Sequence, residues 1–287
     1  MARTIVDSHT HVIAHREPVW GWGPHFTIDQ LIQMMDREID VMGEVRRVDK
    51  AVVMTGLGLT TVDQRGMEEA HQYVLQNLKA YQGRLYLNAV INPRAWVPDD
   101  LDLLAGWKRD HDLVMLKLHP SMHNYYMPLY SPLLAETGRK LVYPVFEQAR
   151  ALDIPVMIHM GETPYAIPAH VAPVAEAFPD VPMIVAHSGA NNIPSNAHDA
   201  ILLARTYDNI YLGTSWMEAP ELQQMYYAIG AGKIIFESDC SPRPIGTTIR
   251  ITTNLHLAPP LGVGATKDEV YQMIGGTIAG LCHIPID

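Results

Sequence analysis

Short apolar runs rich in β-branched residues recur along the chain, at Thr4–Asp7, Ala51–Thr55, Leu85–Ile91, Leu113–His119, Ile154–His159, Pro182–His187, Asn209–Gly213 and Lys233–Asp239. They are apolar on both faces instead of alternating, the pattern of strands covered on both sides in a parallel sheet. Helical periodicity fills the stretches between them. Thr27 opens a capping-box pattern ahead of Leu31, Met34, Met35 and Ile39, which mark one apolar face. Further helices are expected over Gly66–Leu78, Pro98–Arg109, Lys140–Leu152, Pro168–Phe178, Asn196–Tyr207 and Glu218–Ile229, and Thr266 with Glu269 caps a last one reaching Leu281. Strand starts recur roughly every 33 residues, the length of one strand–helix unit. Eight such units predict an α/β fold in which a parallel eight-stranded sheet closes into a (β/α)8 TIM barrel. No Gly/Ser linker or charge block divides the chain, so residues 1–287 are expected to form one domain. An open doubly wound sheet would carry a Gly-rich phosphate turn after its first strand. Val6 instead leads into Asp7-Ser8-His9-Thr10-His11.

Charge narrows the choice of partner. The chain carries 21 Lys+Arg against 31 Asp+Glu, a formal −10, which argues against nucleic acid or an anionic membrane surface. No apolar run approaches the roughly 18 residues of a membrane span, and the N-terminus lacks a basic segment leading into an apolar one. Cys240 and Cys282 are too few for a disulfide framework, which suits a reducing compartment, and a cytoplasmic location is expected.

The unusual count is 14 histidines. Parallel barrels place their active sites at the carboxyl ends of the strands. Asp7, His9 and His11 fall at the end of the first expected strand, Lys117 and His119 at the fourth, His159 at the fifth, His187 at the sixth and Asp239 at the eighth. Residues i and i+2 of an extended segment face the same way, so His9 and His11 can present both imidazoles to one point, and the same period pairs Lys117 with His119. Neutral imidazole suits zinc and similar divalent ions, and the Asp239 carboxylate can complete the shell. His15, His71, His111, His198 and His283 lie in expected helices or loops without partners and read as solvated or packing residues.

Asp7-Ser8-His9-Thr10-His11, Lys117-Leu118-His119-Pro120, Ile158-His159-Met160-Gly161, Ala186-His187-Ser188-Gly189 and Glu237-Ser238-Asp239-Cys240-Ser241-Pro242 resemble, in order and spacing, the amidohydrolase superfamily. The likeness is to its branch of amidohydrolase-related proteins, which holds metal-dependent hydrolases, lactonases and decarboxylases similar to aminocarboxymuconate semialdehyde decarboxylase. The resemblance implies that His9, His11, His159 and Asp239 bind one divalent metal, commonly zinc, with His187 beside its water. Manganese, iron or cobalt would also suit the set. Lys117 stands where dihydroorotase-like members carry a carboxylated lysine bridging two metals. Glu237 departs from the pattern, since relatives often have Gly there. Lys117, His119 and Glu237 are therefore candidates for a second metal or for substrate contact.

Such a metal lowers the pKa of its water towards about 7. Asp239 would take the proton and return it to the leaving group, while His187 polarises the substrate carbonyl or orients the water. The expected activity is hydrolysis of an amide, lactone or other ester. The alternative is non-oxidative decarboxylation of an aromatic or enoic acid, with Asp239 protonating carbon. Lys117-Leu118-His119-Pro120 looks more like the hydrolytic members, and the chain after the eighth strand is shorter than is usual in the decarboxylases. A non-catalytic binding scaffold is the third reading, disfavoured because every ligand position holds a competent residue. Trp20, Trp22, Tyr125 and Trp216 offer aromatic surface for a flat small-molecule substrate, and Arg243 offers a bidentate clamp for a carboxylate. Analogy with relatives suggests a homodimer, through the aromatic loops or the C-terminal helix.

Overall fold

The computed structural model describes residues 3–13, 26–56, 66–96, 98–241 and 243–286. Strand β1 (Val6–Val12) is followed by a short antiparallel hairpin, β2 (Ile39–Val41) and β3 (Glu44–Arg46). Then come β4 (Lys50–Thr55), β5 (Leu85–Ile91), β6 (Leu113–Leu118), β7 (Val156–His159), β8 (Met183–Ala186), β9 (Ile210–Gly213) and β10 (Ile234–Ile235). All but the hairpin pair in parallel, in the order β1-β4-β5-β6-β7-β8-β9-β10. The ring closes where the segment after β10 returns to β1: Ser8 N–H donates to Phe236 O at 3.2 Å and Asp239 N–H to His9 O at 3.0 Å. The fold is the expected (β/α)8 barrel.

Helices α1 (Ile28–Met35), α2 (Met67–Asn77), α3 (Pro98–Leu101), α4 (Leu103–Asp110), α5 (Pro132–Leu152), α6 (Ala172–Ala177), α7 (Asn196–Thr206), α8 (Ala219–Ile229), α9 (Ile245–Thr253), α10 (Lys267–Tyr271) and α11 (Thr277–Leu281) accompany the strands. None of them is long and apolar enough to cross a membrane. Strands β5 and β6 are buried along their whole length, and each large apolar side chain so buried contributes about 1.5–3 kcal/mol. Alternate strand residues enter two separate apolar clusters. Val52, Met54, Val90, Met115, Met157, Ile184 and Ile235 meet in the smaller one with Val6, while their strand neighbours Val53, Ala89, Leu116, Ile158 and Val185 join the larger one that includes the helices. Residues two positions beyond the members of the inner set therefore point into the barrel mouth: Lys117 after Met115, His159 after Met157, and Glu237 after Ile235.

Strand β1 needs a further device. Val6 is inward, so an unbroken alternation would turn Ser8 and Thr10 inward and the two histidines out. The β1–β4 register instead slips between Asp7, opposite Ala51, and Thr10, opposite Val53. The extra residue is a β-bulge, which switches the parity and re-aims His9 and His11 into the mouth.

Several expected boundaries move. His9 and His11 lie inside β1, not beyond its end, because Val6–Val12 is buried throughout. Ile39 is not the last apolar position of α1, which stops at Met35. It begins the hairpin, turned by Met42 and Gly43 at φ 55° and 82°, the left-handed pair that a two-residue hairpin requires. The eighth strand pairs as β10 only over Ile234–Ile235, because Phe236 onward bonds to β1 instead. The helix expected over Pro98–Arg109 is divided into α3 and α4, and α5 starts two turns early, at Pro132. The segment at Pro168 opens with a 3-10 turn before α6. Helix α9 has no counterpart among the expected elements, since Ile245–Thr253 is rich in β-branched residues that read poorly as helix. His71, His198 and His283 do have partners: Met67 O and Val90 N–H, Gln224, and Asp153.

Candidate metal centre

Four strand ends deliver imidazoles or carboxylates to the same place. His9 Nε2 lies 3.1 Å from His11 Nε2, and each is 3.3 Å from Asp239 Oδ1. His187 Nε2 lies 3.1 Å from His159 Nδ1. The two pairs adjoin, since ligand atoms of His9, His187 and Asp239 all fall within 4.8 Å of one another. All five side chains are buried.

Hydrogen bonds on the outer sides fix where the ring protons sit. His9 Nδ1 is 3.1 Å from Glu237 Oε2. A carboxylate only accepts, so Nδ1 carries the hydrogen and Nε2 presents a bare lone pair to the centre. Ser215 donates its hydroxyl to Glu237 Oε1 at 2.7 Å and so must accept from His187 Nδ1 at 2.6 Å. His187 Nε2 is bare as well. Glu162 Oε2 stands 3.6 Å from His159 Nε2, beyond hydrogen-bond distance, so the contact does not fix which nitrogen of His159 carries the hydrogen. Asn191 and Asn192 hold the other Glu162 oxygen at 3.3 and 3.0 Å.

Burial keeps His9 and His187 neutral by pushing their pKa values well below the ordinary imidazole range; Lys117 adds to this at His9. Burial alone would raise the Asp239 carboxyl, but its pKa lies well below the ordinary carboxylate range, with the His11 hydrogen bond among the interactions that favour the ionised form. Lys117, fully buried, places Nζ 3.2 Å from His9 Nε2. Burial lowers its pKa to about 8, opposed by Glu237 and Asp239.

The donor set fits a divalent cation. The bare Nε2 atoms of His9 and His187 and a carboxylate oxygen of Asp239, all within 4.8 Å of one another, repel unless positive charge lies between. Each outer nitrogen that faces a carboxylate or a held hydroxyl matches the arrangement that orients metal-ligating histidines.

Backbone geometry at the rim is strained. His187, Ser188, Trp216 and Asp239 have φ of 59°, 47°, 62° and 58°, left-handed values that cost such residues about 1–3 kcal/mol each and cluster at functional sites. Ala186 is inward, so regular alternation would turn His187 outward; the left-handed turn there swings its ring inward. Trp216 donates Nε1–H to Asp239 Oδ2 at 2.6 Å, and the Arg243 guanidinium stacks 4.3 Å from the centre of the indole.

The remaining sequence candidates meet different partners. Glu237 lies behind His9 with both oxygens engaged. His119 stacks on His159 with ring centres 3.7 Å apart and planes at 13°, and its Nδ1 accepts from Met122 N–H at 3.2 Å. Its hydrogen is therefore on Nε2. His119, His159 and Glu162 also bring ligand atoms within 4.8 Å of one another, but two stacked rings do not aim in-plane lone pairs at one ion. Tyr125 is buried in the larger core cluster. Trp20 and Trp22 lie outside the described residues. Ser215 and Glu162 escape sequence reasoning; their only signal is proximity to the strand-nine end and to His159.

The family model described as amidohydrolase matches residues 6–273. The chain belongs to this family. It is thus an enzyme of the amidohydrolase superfamily, whose members depend on divalent metals. A search of curated proteins finds no match. Among solved structures, this amidohydrolase-family chain is similar to a dihydroxybenzoic acid decarboxylase from Polaromonas sp. JS666 with bound manganese and the inhibitor 2-nitroresorcinol. The TM-score is 0.71 at 13% identity, covering 98% of this chain and 97% of that one. A 2,6-dihydroxybenzoate decarboxylase from Rhizobium gives 0.67 at 13% identity over 98% and 99%. A proposed 2-pyrone-4,6-dicarboxylic acid hydrolase from Pseudomonas putida gives 0.68 at 14% identity over 100% of both chains. At these identities the likeness is one of fold.

Proposed function

We propose that this chain is a metal-dependent hydrolase acting on an amide, lactone or other ester of a small molecule in the cytoplasm. The observation that carries the reading is the convergence of the His9 and His11 imidazoles on Asp239 Oδ1, with the outer nitrogens of His9 and His187 tied into hydrogen bonds that end on one carboxylate. His9, His11, His159 and Asp239 would hold the metal. When bound, a divalent cation supplies Lewis acidity and lowers the pKa of water. Zinc is the expected occupant, and manganese, as bound in the Polaromonas decarboxylase, suits the same donors.

The chain's own groups divide the remaining work. Asp239, ionised and pinned at Oδ2 by Trp216, accepts the proton of the attacking water at Oδ1 and returns it to the leaving group. His187, with its hydrogen held on Nδ1 by Ser215, offers Nε2 as an acceptor that orients the water. His119, neutral with its hydrogen on Nε2, is a donor suited to a developing oxyanion. Arg243, displayed on the Trp216 face, suits a substrate that carries a carboxylate.

Decarboxylation is the second reading. The Arg243–Trp216 stack supports it, because an aromatic or enoic acid would be held by its charge and its plane, and two of the structures with this fold are dihydroxybenzoate decarboxylases. One assay separates the two. Metal-loaded protein is offered lactones, amides, and aromatic and enoic acids, with acid release and carbon dioxide followed together. Acid release without gas supports hydrolysis. Gas without incorporation of solvent oxygen overturns it in favour of decarboxylation.

A further inference from the structure

Glu237 is fully buried inside the barrel, and three hydrogen-bond donors converge on its carboxylate. His9 Nδ1–H reaches Oε2 at 3.1 Å, Ser215 Oγ–H reaches Oε1 at 2.7 Å, and the backbone N–H of His187 also reaches Oε1. Ser215 in turn accepts from His187 Nδ1. Space has been cleared for this group: a Cβ on Gly213 would lie 2.1 Å from the Glu237 carboxyl carbon and from Oε1. The glycine at the end of β9 and the glutamate beyond β10 thus form a fitted pair.

We propose that Glu237 is a positioning residue that sets the tautomers of two histidines at once, His9 directly and His187 through Ser215, so that both turn bare Nε2 atoms to the same point. The inference rests on the metal-centre reading but concerns the protein before any metal arrives. The physical reason is an acceptor count. The backbone N–H of His187 and Ser215 Oγ–H both face Oε1 and the His9 ring faces Oε2, so the carboxylate accepts at each, and an imidazole that donates outward has no hydrogen left to donate inward. Orienting carboxylates of this kind typically change metal affinity by about 10- to 100-fold.

Glu237→Gln tests this with almost no change of shape. The Gln oxygen must stay opposite the His187 backbone N–H, because that group can only donate and turning the amide would oppose donor to donor there. Its NH2 then faces His9 Nδ1 and favours the hydrogen of that ring on Nε2, against the Lys117 Nζ that stands 3.2 Å from that atom. Nitrogen-15 NMR of histidine-labelled, metal-free protein reads the tautomers. The wild type should show His9 and His187 as Nδ1–H forms, and the variant should show His9 as Nε2–H. Calorimetric titration with Zn2+ should find binding about 10- to 100-fold weaker in the variant. An unchanged His9 tautomer together with wild-type Zn2+ affinity overturns the proposal.

Should Glu237→Gln fail to fold, Ser215→Ala interrupts only the His187 arm. It should leave His9 as Nδ1–H and release His187 to a mixture of tautomers; a His187 still fixed as Nδ1–H overturns the relay. Wild-type protein that shows the stated tautomers but binds no Zn2+ or Mn2+ sinks the metal-centre reading and leaves the role of Glu237 in place.

Discussion

Trp216 donates its indole Nε1–H to Asp239 Oδ2 at 2.6 Å, while the other Asp239 oxygen faces the imidazoles of His9 and His11. One carboxylate is thereby split into a restrained oxygen and a working one. Both residues sit in left-handed backbone, so the contact is held by two strained turns that the surrounding barrel over-determines. An aromatic residue legible in the sequence as substrate surface also donates a hydrogen bond to the proposed acid–base group.

Trp216→Phe keeps the ring and deletes the donor. A hydrogen bond to a charged acceptor contributes about 1.5–3 kcal/mol, so kcat should fall about 10- to 100-fold if the bond acts in the transition state. Bound metal, read by elemental analysis, should stay near the wild-type level. Unaltered turnover would show that Asp239 does not depend on this contact.

The donor set makes a sharper demand. His159→Ala and Asp239→Asn should each strip most of the bound metal and abolish turnover. Far-ultraviolet circular dichroism should be unchanged, because rim residues contribute little to the core. Dialysis of the wild type against a chelator should give the same inactive, folded protein, and re-addition of metal should restore it. A chelated protein that works at full rate removes the metal from the mechanism.

Arg243 separates substrates by charge. Its guanidinium already rests on the Trp216 ring at 4.3 Å from the centroid, so its N–H edges are presented without reorganisation. Arg243→Ala should raise KM for an acidic substrate by at least about tenfold, the lower end of a charged hydrogen bond, and alter KM for a neutral analogue much less. Equal effects on both would place Arg243 outside the pocket.

His71 predicts how stability depends on pH. It is fully buried, donating Nδ1–H to Met67 O at 2.7 Å and accepting Val90 N–H at Nε2 at 3.0 Å. Burial lowers its pKa from 6.5 to about 4. The unfolded chain therefore binds a proton that the folded chain refuses between those values. His71 contributes fully above pH 6.5, and that contribution is lost as pH falls towards 4, by about 3 kcal/mol in total. Urea unfolding measured from pH 4 to 7 should show a slope shallower by about one proton in His71→Gln than in the wild type. Parallel curves for the two proteins would contradict the assignment.

Strand-end chemistry was legible wherever it followed a local period. His9 with His11, and Lys117 with His119, follow from the two-residue repeat of an extended chain, and the eight apolar runs imply the barrel because each had to be covered on both faces. The bulge in β1 left no such mark. Nothing local distinguishes Asp7-Ser8-His9 in a bulge from the same residues in a regular strand, although only the bulge turns the histidines inward. Helix α9 was hidden for a related reason: packing against the barrel overrides the weak helix propensity of its Thr and Ile residues.

Residue identity and spacing alone thus determined the architecture, the mouth at which the chemistry gathers, and the proposed metal-ligand set of His9, His11, His159 and Asp239. Only the tertiary structure decided which atom of each ring faces inward, that Glu237 and Ser215 stand behind two of the rings, and that Trp216 serves Asp239. Those facts depend on donors and acceptors contributed by strands far apart in the chain. A hydrogen-bond direction is set by the partner across the barrel, and periodicity along one segment carries no record of that partner.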